Sequence, residues 1–195
     1  MRLQSFGCTL ALASAAAALL LQGCVPIAIG AAVGGTAMVA TDRRTTGTQV
    51  DDELIEDKTA LAIHERFKGD FHVNVTSYGG IVLLTGEVPA DAAKADIAEL
   101  ARTTPKVRAV QNELVVGAVT DLGSRSNDTL VTSKVKTRFV EANKFQINHV
   151  KVVTERGVVY LMGVVRRDEG DAAAEIASTT SGVQRVVKVF EYVAG

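Results

Sequence analysis

Cys24 is the residue whose surroundings most clearly predict a chemical modification. It ends the segment Leu21-Gln22-Gly23-Cys24, which follows Arg2 and an apolar run over residues 6–21. A basic start, an apolar run and a small residue before a cysteine are typical of a bacterial lipoprotein signal. The run is shorter than the roughly 20 residues of a spanning helix. We therefore predict a signal peptide over 1–23 and palmitate-type acyl chains on Cys24, which together hold a protein firmly to a membrane.

Cleavage before Cys24 has consequences for the mature chain. It removes Cys8 and leaves one cysteine, already acylated, so we expect neither a disulfide nor thiol chemistry. Val25 occupies the position where an aspartate would signal retention in the inner membrane, which favours the outer membrane. Residues 24–50 are Gly- and Ala-rich and then polar, and we interpret them as a tether and linker.

The sequence contains no recognisable arrangement of catalytic groups. The three histidines, His64, His72 and His149, are far apart and lack the spacing of a helical zinc site. The acidic cluster at residues 51–57 lacks the spacing of a calcium-binding loop, and acidic side chains are common in a first helical turn. We interpret this cluster as a solvated helix face. We predict no catalytic residue, metal, cofactor or nucleic-acid partner, while a hydrolytic or metal-dependent enzyme is the least favoured alternative.

The larger part of the chain is an internal repeat. Residues 73–86 match residues 150–163 at a constant offset of 77, and the offset falls to 76 farther along. In each copy two alternating segments surround a glycine turn, as Val73–Thr76 and Ile81–Leu84 do around Gly79-Gly80, which predicts a hairpin. Helical spacing follows over 90–102 and 171–179, and a last strand over 107–116 and 183–193. We predict two α+β domains, at 51–117 and 127–194. Each has the order αββαβ, with a three-stranded sheet and two helices on one face.

This order, with Gly80, Gly86, Gly157 and Gly163 around the second strand of each copy, resembles the BON domain (bacterial OsmY and nodulation). The resemblance covers nearly the whole mature chain. It implies a lipoprotein of the outer membrane that faces the periplasm and supports the integrity of that membrane. It also implies binding of anionic phospholipid through the first helix of the second domain, and concentration at division sites.

The first helices of the two copies differ in charge. From Asp128 to Lys144 four cationic side chains face two acidic ones, whereas from Asp51 to Lys68 three cations face six acids. The spacing of Val131, Val135 and Phe139 predicts a buried face. The predicted phospholipid-binding residues lie opposite this face or reach outward from its edges: Leu130, Ser133, Lys134, Lys136, Thr137, Arg138, Val140 and Lys144. Family members of this type can present an aromatic near the start of the helix, where this chain has Leu130 and contains no tryptophan.

A second hypothesis is a periplasmic adaptor that binds an envelope assembly or division protein. The first-domain helix supports it, since Leu54 and Leu61 share a face with Asp57, His64 and Lys68. We predict that this face docks on the second domain or on an envelope partner.

Overall fold

The computed structural model describes residues 42–194, which belong to one compact unit. The predicted signal peptide, Cys24 and most of the predicted tether lie outside the described residues. Within residues 42–194, no helix combines the length and apolarity needed to cross a membrane.

The first domain has two helices, a β-hairpin and a broken final strand. Its elements are α1 (Thr46–Arg66), β1 (His72–Tyr78), β2 (Ile81–Val88), α2 (Asp91–Thr103), β3 (Ala109–Asn112) and β4 (Val115–Val116). Strand β1 pairs antiparallel with β2, and both β3 and β4 pair parallel with β2.

The second domain repeats this arrangement with an unbroken final strand. Its elements are α3 (Leu122–Ala142), a 3₁₀ turn (Ile147–His149), β5 (Val150–Glu155), β6 (Val158–Val165), α4 (Arg167–Ser178) and β7 (Arg185–Tyr192). Strand β6 lies between antiparallel β5 and parallel β7. The predicted αββαβ order is therefore confirmed in both copies.

The predicted strand over 107–116 is interrupted at Glu113 and Leu114. The Leu114 side chain is buried in the core, and its amide donates to Asn112 Oδ1 at 3.2 Å rather than to the neighbouring strand. This local turn separates β3 from β4, so the first sheet counts four strands where the pattern predicted three.

Both first helices begin earlier than the sequence pattern predicted. Helix α1 begins at Thr46 with Thr45 as its N-cap, so residues 46–50 of the predicted linker are helical. Helix α3 begins at Leu122, where the Asp121 carboxylate accepts from the Ser124 amide at 2.9 Å. Thr and Asp are favoured N-caps because their side-chain oxygens bind amides of the first turn.

Gly86 and Gly163 occupy equivalent positions in β2 and β6. A Cβ atom at either position would collide with a backbone carbonyl beside it, that of His72 at the start of β1 or that of His149 just before β5. Gly86 also has a φ of 115°, which side chains disfavour. The repeated glycine therefore reflects a close approach of two strands in each hairpin.

The two sheets pack against each other through the faces that their helices leave uncovered. Val82 and Leu84 of β2 point into the helix-covered core of the first domain, whereas Leu83 points the other way. Leu83 and Tyr78 form a cluster with Tyr160 and Met162 of the second domain. All four are at most 4% exposed, and burial raises the pKa of Tyr160 to about 12.

The helix α1 face that the sequence predicted to dock therefore does not make this contact. Leu54 and Leu61 remain 45% and 60% exposed, so their docking on the second domain is not observed. Polar pairs surround the sheet contact instead: Lys151 Nζ lies 2.7 Å from Glu56 Oε1, and Arg108 Nη1 lies 2.9 Å from Glu191 Oε2.

Candidate functional site

Helix α3 is held by one buried face. Val131, Val135 and Phe139 are at most 1% exposed and join the core of the second domain, as their spacing predicted. The buried Asp128 carboxylate accepts hydrogen bonds from the amides of Arg156 and Gly157 in the β5–β6 turn, at 2.7 and 2.9 Å. These contacts set the rotation of the helix and turn the opposite side to solvent.

The outward side of α3 is apolar at three points. Leu130 and Val140, both predicted to face outward, are 60% and 62% exposed. Leu122 is 77% exposed, and at 100° per residue it lies on the same side of the helix as Val140. The sequence pattern missed Leu122 because it placed the helix start near Asn127. The N-cap signal of Asp121 followed by Ser124 would have revealed it.

Lysines accompany these apolar side chains. Lys134 and Lys136 are exposed, and within residues 42–194 neither forms an ion pair. Lys144, just beyond the helix, lies 3.9 Å from the exposed Glu175 carboxylate, a separation at which a surface pair contributes little. We use the name "α3 face" for the outward residues Leu122, Leu130, Ser133, Lys134, Lys136, Thr137, Val140 and Lys144.

Arg138 differs from the sequence expectation. Its guanidinium does not reach outward but donates to the carbonyl of Ile176 at 2.8 Å and to the hydroxyls of Thr179 and Thr180 at 3.0 and 2.8 Å. These acceptors lie at the C-terminal end of α4, where carbonyl groups lack helical partners and attract cations. Arg138 thus joins α3 to α4, a long-range contact without a local sequence signal. We therefore leave it out of the α3 face.

Helix α1 has the same position in its domain and a different outer side. Glu53, Asp57 and Glu65 are exposed there, and so are Val50, Leu54 and Leu61, which fall on one stripe of the helix. We call these three apolar residues the α1 stripe. The α1 stripe therefore has acidic neighbours, whereas the apolar side chains of the α3 face have lysines beside them.

Asp52 is an exception to the solvated acidic face that the sequence suggested. It is 3% exposed and accepts from Ser77 Oγ at 2.7 Å and from the amides of Gly79 and Gly80 at 2.8 Å, with Arg44 2.9 Å away. Burial raises the pKa of Asp52, but these hydrogen bonds outweigh burial and hold it below its usual value. Asp52 and Asp128 are thus repeat-related clamps on the two hairpin turns.

Comparison with known proteins agrees with this architecture. The BON domain family model matches residues 51–118 and again 127–194. The chain is 42% identical to "Outer membrane lipoprotein DolP" of Haemophilus influenzae over 180 residues, covering 90% of this chain and 92% of that one.

Two further relatives cover about three quarters of the chain. The "21 kDa hemolysin" of Actinobacillus pleuropneumoniae is 36% identical over 78% of this chain and 79% of its own length. The "Osmotically-inducible protein Y" of Escherichia coli is 29% identical over 76% of both chains. Two tandem matches and a full-length relative at this identity place the chain in a family: it belongs to the BON domain proteins, as a dual-domain member similar to DolP.

Proposed function

We propose that this protein is an outer-membrane lipoprotein, anchored through Cys24 and facing the periplasm, whose α3 face binds anionic phospholipid. The observation that carries the proposal is the set of three exposed apolar side chains on the outward side of α3, flanked on its two edges by Lys134 and Lys136, which form no ion pair within residues 42–194. The repeat-related helix α1 has apolar side chains of similar exposure but an acidic setting, so charge distinguishes the two helices.

The expected affinity is modest and suits a tethered protein. Each lysine near an anionic surface contributes about 1 kcal/mol, and each partly inserted apolar side chain of the α3 face adds about 1 kcal/mol after discounting full burial. A total of about 5 kcal/mol corresponds to a Kd of roughly 0.2 mM. A lipid anchor raises the effective concentration of the domain at the bilayer, so weak contact is sufficient.

The sequence resemblance and the name of the DolP relative support the wider role. We propose that lipid binding helps to keep the outer membrane intact, with division sites as the place of action. The protein acts in this proposal by binding and not by catalysis.

The test of the lipid-binding proposal is a titration of residues 41–195, produced without the anchor, with vesicles, followed by NMR. Vesicles containing phosphatidylglycerol should shift the resonances of the α3 face, whereas purely zwitterionic vesicles should not. Leu130→Glu should reduce vesicle affinity at least tenfold, because it removes an apolar contact and adds a repelled charge.

The matched control is Leu61→Glu on α1, since Leu61 and Leu130 are both 60% exposed. This variant should bind vesicles as the unmodified protein does. An equal loss of vesicle affinity in both variants, or shifts spread evenly over both domains, would contradict the proposal.

In cells, the Leu130→Glu protein should fail to restore resistance to a large antibiotic that an intact outer membrane excludes.

A protein-binding adaptor is the second candidate, and the α1 stripe favours it. Val50, Leu54 and Leu61 are 50%, 45% and 60% exposed beside acidic groups that an anionic bilayer would repel. A partner surface with apolar and cationic groups would fit this stripe. An adaptor that lacks the lipid function would show the same response to charged and uncharged vesicles.

A further inference from the structure

His72, Glu87 and Glu155 form a compact cluster where the two domains meet. His72 begins β1 and is paired directly with Glu87 of β2 in the hairpin register, while Glu155 ends β5 of the second domain. One ligand atom from each of the three side chains lies within 4.8 Å of the others. Sequence spacing gave no sign of this cluster, because its members come from separate strands and from both domains.

The two carboxylates are deeply buried. Glu87 is 0% exposed and Glu155 is 6% exposed. Among the described residues, Glu87 Oε1 has no hydrogen-bond donor, and its nearest cation is Arg156 Nη1 at 3.7 Å. Buried carboxylates are normally paired, hydrogen-bonded or bound to a metal ion. Glu87 Oε2 accepts from the amide and the hydroxyl of Thr120, both at 3.3 Å, whereas Oε1 has only the long ion pair with Arg156 and so keeps a lone pair available for a cation.

The remaining contacts hold the ligands in place. His72 Nδ1 lies 3.3 Å from Glu87 Oε2, which is close to the separation of two ligands in a tetrahedral zinc site. Asn74 Nδ2 donates to Glu155 Oε2 at 2.8 Å and orients that carboxylate. The three ligand atoms lie within 4.8 Å of one another, so coordination of one ion requires that these side chains move closer together.

An open cavity of about 260 Å³ gives access to the cluster. Its lining includes His72 and Glu155 together with Asp128 and Thr132 of α3. The cavity provides an entry path for an ion and room for the water that completes a site with three protein ligands.

The repeat shows that the cluster is not a requirement of the fold. At the offset of 77, the counterpart of His72 is His149, that of Glu87 is Val164 and that of Glu155 is Tyr78. The other copy therefore keeps the imidazole but has an aliphatic and an aromatic residue in place of the two carboxylates. The two buried carboxylates beside the half-buried His72 thus need an explanation beyond folding.

We propose that His72, Glu87 and Glu155 bind a divalent transition-metal cation, with Zn²⁺ as the best-suited ion, at the junction of the two BON domains. One imidazole nitrogen with two carboxylate oxygens suits Zn²⁺ better than Mg²⁺, which prefers an all-oxygen octahedron. Because ligands come from both domains, the bound ion joins them directly.

The test is calorimetric titration of ZnCl₂ into the purified, chelator-treated protein, combined with thermal unfolding. Zinc should bind at one site per chain and raise the Tm, since it binds only the folded arrangement. Glu155→Gln preserves the shape of the side chain and should weaken zinc binding at least tenfold, as should His72→Ala. Arg156→Gln should strengthen binding, because it removes the cation that lies beside Glu87.

His64→Ala is the control, because His64 is an exposed histidine of α1 and is not one of the three proposed ligands. Its zinc affinity should equal that of the unmodified protein. No zinc binding at about 100 μM, unchanged affinity in Glu155→Gln, or an equal response to MgCl₂ would overturn the proposal. Amide NMR spectra of each variant without metal establish that the fold is intact, so a lost site is distinguished from a lost structure.

Discussion

Helices α1 and α3 each precede the hairpin of their domain, and each leaves apolar side chains on the side turned away from the core. Both use a buried aspartate, Asp52 or Asp128, to bind the amides of the hairpin turn. Their outer sides differ, because α1 places acidic groups around its apolar stripe and α3 places lysines there. The two copies thus share the residues that build the domain and differ in the charged residues on the outer sides of their first helices.

The largest expected effect concerns the buried aspartate that both domains use to bind the hairpin turn. Asp52→Ala should lower the free energy of unfolding by about 3 to 5 kcal/mol, because it leaves buried donors from Ser77, Gly79 and Gly80 without an acceptor. Asp128→Ala should cost about 2 to 3 kcal/mol, since two amides depend on it. Urea unfolding of both variants measures the difference.

The pH dependence of the free energy of unfolding is a second measure of the hydrogen bonds that Asp52 accepts. The pKa of Asp52 is lowered in the folded protein, so its contribution is complete above the ordinary aspartate pKa of about 3.9 and is lost as the pH falls through the lowered value. Asp52→Asn should therefore flatten the loss of stability at acid pH. An equal acid dependence in the variant and the unmodified protein, or a larger cost at Asp128 than at Asp52, would contradict the clamp.

The next effect concerns the charge difference between the outer sides. Replacing both Lys134 and Lys136 by glutamate should weaken binding to phosphatidylglycerol vesicles at least 30-fold. Two favourable contributions of about 1 kcal/mol each are lost and repulsion is added. Vesicle co-sedimentation at low salt measures the change. Replacing Glu53 and Asp57 of α1 by lysine is the reciprocal variant, and it should create new vesicle binding if charge alone separates the helices.

The smallest effect concerns the apolar end of the α3 face. Leu122→Ser should weaken vesicle affinity about 5-fold, equivalent to about 1 kcal/mol, because Leu122 lies at the first turn and inserts only in part. Val50→Ser, in the first turns of α1, is its matched control and should leave vesicle binding unchanged. If Leu122→Ser leaves the vesicle affinity unchanged, the membrane contact is limited to the later turns of α3.

Much of the fold follows from local pattern. Period-two alternation around paired glycines predicted the hairpins, and the spacing of Val131, Val135 and Phe139 predicted which side of α3 is buried. These features depend on residues close in sequence. The repeat then doubled the signal, because each pattern occurs twice at nearly one offset.

The parts that sequence pattern missed depend on contacts between distant residues. The apolar run Ile81–Leu84 is compatible with burial on both sides of β2, yet it does not identify the second sheet as the covering surface. The hydrogen bonds of Arg138 to α4 and the meeting of Glu155 with His72 arise only once the elements have packed. Pattern thus predicted the outward side of α3 but not which of its cations are available.

The sheet-to-sheet contact has a consequence for a chain that is exported N-terminus first, as proposed here. The first domain reaches the periplasm before the second, and until the second has followed, Tyr78 and Leu83 lack the cover that Tyr160 and Met162 provide. During that interval the first domain exposes these apolar side chains, which makes it a natural target for a periplasmic chaperone and a place where neighbouring chains can pair wrongly.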